Sequence, residues 1–315
     1  MISIVESLRI ASKNVKSDAQ VTLPLKVPHN SFDWQKTLAS PVSCSGVGVH
    51  SGMPATITLR PATASAGYVF IRTDVPEDSR RINARWDKVT DTAMCTKITN
   101  AHGVSVSTIE HVIAALAGCG IHNAIIELDG PEVPIMDGSS SNFVELIHQA
   151  SVRSQRKLLS RIKVLKTVEV KVGHSTATFK PSDESKYTIQ FNANGRLGDQ
   201  SWSLSYYPEQ DDFCDLLSAA RTFGFYEDAQ YLWSQGLAQG ASLDNTIVIK
   251  DGKVMNEDGL RFNDEFVRHK MLDAVGDFAL AGMPILGHFI GVNSGHSLNN
   301  QLLRALFADQ SNWCV

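Results

Sequence analysis

Apolar residues recur along this chain with two periods. Between Ser107 and Leu116 the residues Ile109, Val112, Ile113 and Leu116 keep i, i+3, i+4, i+7 spacing. That spacing predicts a helix with one buried face, and Gly118 is its stop signal. Glu265–Ala281 predicts another helix, with Leu272, Val275 and Ala279 turned to a core. Further helices are expected at Asn142–Gln149, Asp211–Ala220 and Leu298–Ala308, and a short helical pattern occupies Ile2–Ala11. β-Branched and aromatic content predicts strands at Ala55–Pro61, Gly67–Arg72, His122–Leu128, Ile162–Val172, Ser175–Lys180 and Tyr187–Phe191. Thr246–Val254 reads as a hairpin around Lys250-Asp251-Gly252-Lys253. The pieces Ala55-Thr56…Pro61 and Ala177-Thr178…Pro181 hint that two halves repeat one β-then-α plan.

Residues 150–160 turn polar and basic, so the domain boundary is expected there. This divides the chain into an N-terminal domain, 37–155, and a C-terminal domain, 156–315. Residues 1–36 are polar and irregular and are expected to be a disordered extension. Glu6 and Asp18 argue against a transit-type peptide, and no cationic patch precedes an apolar stretch as in a secretory signal.

A chain of 315 residues that is 43% hydrophobic and 20% charged can bury a large core and fits two domains. With a net charge of -4 and no strongly basic patch, nucleic acid is not an expected partner. Cys44, Cys95, Cys119, Cys214 and Cys314 are scattered without CxxC spacing, which points to a reducing compartment. The longest apolar stretch, Phe278–Val292, is interrupted by Gly, Pro and His288 and is too short for a transmembrane segment.

Three segments carry candidate chemistry. On an α-helix His269, Asp273 and Asp277, spaced four apart, fall within about 80° of one another. They read either as a metal site or as a solvated face paired with Arg268 and Lys270. In Ser107-Thr108-Ile109-Glu110-His111, Ser107 and Glu110 have the spacing of a capping box. The other reading makes His111 a metal ligand and Glu110 a general base. In Asn293–Asn300, Gly295 suggests a tight loop holding His296, with Ser297 capping the next helix. One histidine from a first-half helix plus a histidine and an aspartate from a second-half helix leave a fourth position open, the layout of a catalytic zinc site. With Glu110, Lys270, a spare histidine and a spare aspartate, the set is sufficient for hydrolysis.

These segments, together with Gly46-Val-Gly-Val-His-Ser-Gly52, Pro131-Glu-Val-Pro-Ile-Met-Asp-Gly138, Ala220-Arg-Thr-Phe-Gly-Phe225 and Asn256-Glu-Asp-Gly-Leu-Arg-Phe262, occur in a characteristic order. The chain from about Thr37 to Ala308 resembles the UDP-3-O-acyl-N-acetylglucosamine deacetylases, zinc amidases of bacterial lipid A synthesis. The resemblance implies an α+β fold: a two-domain β-α-α-β sandwich, with helix layers between two small sheets and an insertion in each domain. It implies one zinc ion held by His111, His269 and Asp273. Glu110 would activate the attacking water, while Lys270 and Thr222 would stabilise the oxyanion. His296, oriented by Asp277, would protonate the departing amine. Phe223 would edge the site, with Met94 and Cys95 near the first insertion, and residues of about 225–258 would form an apolar passage for the acyl chain. The implied substrate is the acylated UDP-sugar and the implied product pair is acetate and free amine, in a monomeric enzyme of the bacterial cytoplasm.

Overall fold

Alternation along Pro54–Pro61 puts Ala55, Ile57 and Leu59 on one buried face, as expected of a half-buried strand. The computed structural model describes residues 34–193, 195–199 and 201–315. The helical pattern at Ile2–Ala11 lies outside them. Pro54–Pro61 is second in a five-stranded sheet of order Val42–Val47, Pro54–Pro61, Ala124–Leu128, Tyr68–Arg72, Arg81–Asn83. Helix α1 (Glu110–Gly118) and helix α2 (Ser141–Ala150) pack on each other, and Ile109, Val112, Ile113 and Leu116 share one core with Ile57 and Leu59.

The second half restarts with strands, and the expected Ile162–Val172 strand is split into Ile162–Val164 and Val168–Val172. A seven-stranded sheet is built around Ile285–Val292, which pairs with Ser175–Lys180, Ser185–Asn192 and Ile162–Val164. The two segments that hinted at a repeat, Pro54–Pro61 and Ser175–Lys180, each lie between two paired neighbours in their own sheet. The apolar run Phe278–Val292 is a helix end, a turn and this strand. Among the described residues no helix is long and apolar enough to cross a membrane.

Two expectations need correction. The Asp211–Ala220 helix is a single turn, α3 (Phe213–Leu216), capped by the Asp212 carboxylate on Cys214 N–H. The chain leaves it because Arg221 is drawn into a buried ion pair with Glu265: Nε to Oε1 2.9 Å, Nη2 to Oε2 3.2 Å, with the Arg221 amide also on Oε1 at 3.0 Å. The polar stretch 150–160 holds the strand Val152–Leu158, antiparallel to Trp34–Leu38, so order begins at least three residues before the expected residue 37. A backbone ladder needs no apolar side chains, which is why the pattern of residues concealed it.

Beyond α3, a small three-stranded sheet joins Phe223–Phe225 to the expected hairpin, Ile247–Lys250 with Lys253–Val254. Asp251 and Gly252 have φ of 49° and 73°, as a tight two-residue turn requires. Between them lies α4 (Ala229–Ser234), for which the sequence offered no clear periodicity. Helices α5 (Glu265–Ala279) and α6 (His296–Ala308) lie on the seven-stranded sheet.

The fold is α+β, and α1 meets α5 across the middle of it. A Cβ on Gly276 would overlap the Glu110 carbonyl oxygen and stand 3.0 Å from its carbon. Only glycine permits that approach. Gly276→Ala must push the two backbones apart, at a cost of about 1–3 kcal/mol. We expect a thermal midpoint lowered by several degrees and a loss of activity as Glu110 shifts. An alanine variant with parental melting temperature and turnover would contradict this account of the contact.

Candidate active site

Residues at the N-termini of α1 and α6 and along the middle of α5 converge at one end of a cavity of about 450 Å³. Glu110 and His111 open α1. Ser107 and Glu110 do not form the capping box that their spacing allows: Ser107 Oγ donates to the Pro131 carbonyl and Glu110 Oε2 accepts from the Thr96 amide at 3.0 Å. The buried carboxylate is thus turned into the site instead of back onto its own helix. The His269/Asp273/Asp277 stripe is not a solvated face either, since all three are no more than 3% exposed. His296 is the first residue of α6 rather than a loop residue, and Gly295, not Ser297, is the N-cap.

His111, His269 and Asp273 bring one ligand atom each to within 4.8 Å of the others. Asp273 Oδ1 lies 3.3 Å from His269 Nε2 and 3.7 Å from His111 Nε2. It is buried and has no hydrogen-bond partner. His269 Nδ1 lies 3.0 Å from the Ala220 carbonyl, so it carries the proton and Nε2 keeps a lone pair. Burial lowers the His269 pKa to about 4 against the pull of Asp273, so the ring is neutral near pH 7. Two imidazoles and a buried carboxylate with one unpaired oxygen are the donor set a divalent metal takes, and the three residues fit one ion.

Facing that group, His296 Nε2 lies 3.6 Å from Glu110 Oε1 and 4.0 Å from Asp273 Oδ2. His296 Nδ1 donates to Asp277 Oδ2 at 2.8 Å, a carboxylate that also accepts from Asn299 at 2.9 Å and from the Thr96 hydroxyl at 2.7 Å. Burial disfavours charge on His296, but Asp277 and then Glu110 outweigh it and push its pKa up to about 10. Burial raises the Glu110 pKa, with His296 and His111 opposing the rise. Burial would also raise Asp273, yet His269, then Lys270, hold it well below the ordinary carboxylate value. Lys270 Nζ donates to Asp273 Oδ2 at 3.1 Å and stands 5.4 Å over the Phe223 ring.

Thr222, Phe223 and Met94 line the cavity. Cys95 does not; it is buried, with Thr108 and Glu110 as neighbours. Beyond Phe223 the walls become apolar, with Phe225, Leu232, Trp233, Val248 and Met255 from the 225–258 region.

Three positioning residues escaped the reading of the sequence. Thr96 touches both Glu110 and Asp277. Glu132 accepts from the amides of His50 and Ser51 and from the Thr108 hydroxyl, fastening the Gly46–Gly52 turn beside the cavity. Asn299 supports Asp277. Glu132 and Asn299 lie inside the quoted motifs, but nothing in their spacing announces a partner.

The LpxC family model, UDP-3-O-acyl N-acetylglycosamine deacetylase, matches residues 35–308. The chain belongs to this deacetylase family. It is 47% identical over 281 residues to the UDP-3-O-acyl-N-acetylglucosamine deacetylase of Haemophilus influenzae (strain 86-028NP), covering 89% of this chain and 92% of that one. The deacetylases of Pasteurella multocida (strain Pm70) and Vibrio cholerae serotype O1 are also 47% identical, over 282 and 283 residues, with the same shares of each chain covered. The family match spans every converging residue of this deacetylase-family site, from Met94 to Asn299.

Proposed function

We propose that the chain hydrolyses the N-acetyl group of UDP-3-O-[(3R)-3-hydroxyacyl]-N-acetylglucosamine, releasing acetate and the free amine. This is the committed step of lipid A synthesis in the bacterial cytoplasm, where nucleotide sugars are available. The observation that carries the reading is the convergence of His111, His269 and Asp273 with Glu110 and His296 at the polar end of a cavity whose far walls are apolar. It agrees with the names of the relatives. We retain the division into domains 37–155 and 156–315 as part of the same proposal, together with a monomeric state.

His111, His269 and Asp273 hold one zinc ion, which when bound supplies a Lewis acid for the water and the acetamide carbonyl. Glu110 takes a proton from the attacking water at Oε1, the oxygen turned toward His296. Lys270 Nζ and the Thr222 side chain face the charge that grows on the carbonyl oxygen. His296 delivers a proton from Nε2 to the departing nitrogen, because Asp277 secures Nδ1 and fixes the ring. Phe223 and Met94 contact the substrate, and the apolar walls take its acyl chain. Cys95 contributes packing behind Glu110.

The test is acetate release from the acylated UDP-sugar by purified protein, with a chelator and then zinc add-back. Release that chelator abolishes and zinc restores is expected. Folded, zinc-loaded protein that releases no acetate would overturn the substrate. In that case a panel of N-acetyl sugars and peptides would find whether another amide is cleaved.

A further inference from the structure

A second group of metal-binding side chains lies away from the cavity. Cys119 caps the C-terminus of α1, His148 is near the end of α2, and Cys214 is in α3. Each offers one ligand atom, and the three atoms lie within 4.8 Å of one another. None of the three lines the cavity. We propose that Cys119, His148 and Cys214 form a second zinc site, a Cys2His set whose fourth position is open to water.

The chemistry favours a soft divalent ion. Two sulfurs and an imidazole are the donors that select zinc over magnesium or calcium. Zinc–sulfur bonds of about 2.3 Å put two tetrahedral sulfurs about 3.8 Å apart. The observed separations therefore close on an ion by small side-chain rotations. His148 is exposed and both cysteines are half-buried, which leaves a path for the ion from solvent. The Asp212 carboxylate accepts the Cys214 amide at 2.8 Å and so holds the Cys214 backbone in place. On binding, two S–H bonds break, two S–Zn bonds form, and two protons leave to solvent. No electron is transferred.

The ion would join three segments that are remote in sequence. Cys119 ends the helix that starts with Glu110 and His111. Cys214 precedes Ala220, whose carbonyl holds His269. The site is therefore a structural clasp that ties α1, the helix carrying Glu110 and His111, to α2 and α3, and its stabilisation grows with the logarithm of the free ion concentration once that exceeds the dissociation constant.

Cobalt(II) separates the two sites, because thiolate ligands give an intense near-ultraviolet charge-transfer band that His111, His269 and Asp273 cannot give. The metal-free, reduced full-length chain is titrated with Co²⁺. We expect two ions per chain, one with the sulfur band. C119S and C214S should each bind one ion, lack the band and retain deacetylase activity. C314S should keep the band. H148A, at an exposed position, should weaken the sulfur-bound ion at least tenfold and leave the other unchanged. A reduced parent protein with no sulfur band overturns the site. So does a band that survives both C119S and C214S, or three titratable thiols in place of five in oxidised protein, which would mean that Cys119 and Cys214 are instead a disulfide.

Discussion

Glu110→Ala is expected to keep its metal and lose turnover by about 10²–10⁴-fold, the usual contribution of a positioned general base. Glu110 is not one of the three converging ligands, so occupancy should not fall. Its Oε2 is held by the Thr96 amide and its Oε1 faces the site 3.6 Å from His296 Nε2. Alanine removes a carboxylate oxygen that faces His296 and belongs to no member of the ligand group. His296 cannot replace it, because Asp277 keeps that ring protonated. The comparison is kcat at saturating substrate alongside metal content. Turnover within a few-fold of the parent would remove Glu110 from the base role. Loss of metal together with turnover would instead make it a ligand.

Asp273→Ala should lose metal and activity together. Asp273 supplies the only carboxylate in the ligand group, and the remaining two donors are imidazoles, which carry no negative charge to hold a cation. The substitution also strands Lys270, whose ammonium is held by Asp273 Oδ2 at 3.1 Å. A positive charge without its carboxylate at the site repels a second cation, which compounds the lost bond. Metal per folded chain is counted after dialysis in the C214S background, so that sulfur ligands do not contribute. Full occupancy in Asp273→Ala would refute the ligand assignment. Retained zinc with lost activity would point to a different carboxylate as the ligand.

Much of the fold was legible in local pattern. Ser175–Lys180 is a strand with the bounds expected, and α5 differs from its expectation by two residues at one end. These segments bury one face or one stripe, and burial imposes a period that side chains display. The failures have a common cause. Val152–Leu158 is mostly exposed, so nothing apolar marks it, yet its backbone ladder with Trp34–Leu38 makes it a strand. Asp211–Ala220 has helical spacing, but the buried Arg221–Glu265 pair requires the chain to turn away after Leu216. Local propensity yielded there to a long-range interaction that a single segment cannot contain.

The candidate site divides along the same line. By itself the sequence determined which side chains are available for chemistry and which share a helical stripe, because covalent spacing and a 3.6-residue period suffice to align His269, Asp273 and Asp277. It left open whether that stripe is wet or dry and whether Glu110 caps its helix. Tertiary structure decided both. Packing of α1 against α5 at Gly276 brings His111 to Asp273 and buries the stripe, and a buried carboxylate must find a partner or an ion. The Thr96 amide then claims Glu110, and Asp277 claims His296. The convergence of Cys119, His148 and Cys214 was likewise invisible in one dimension, since their separations along the chain bear no relation to distances set by three packed helices.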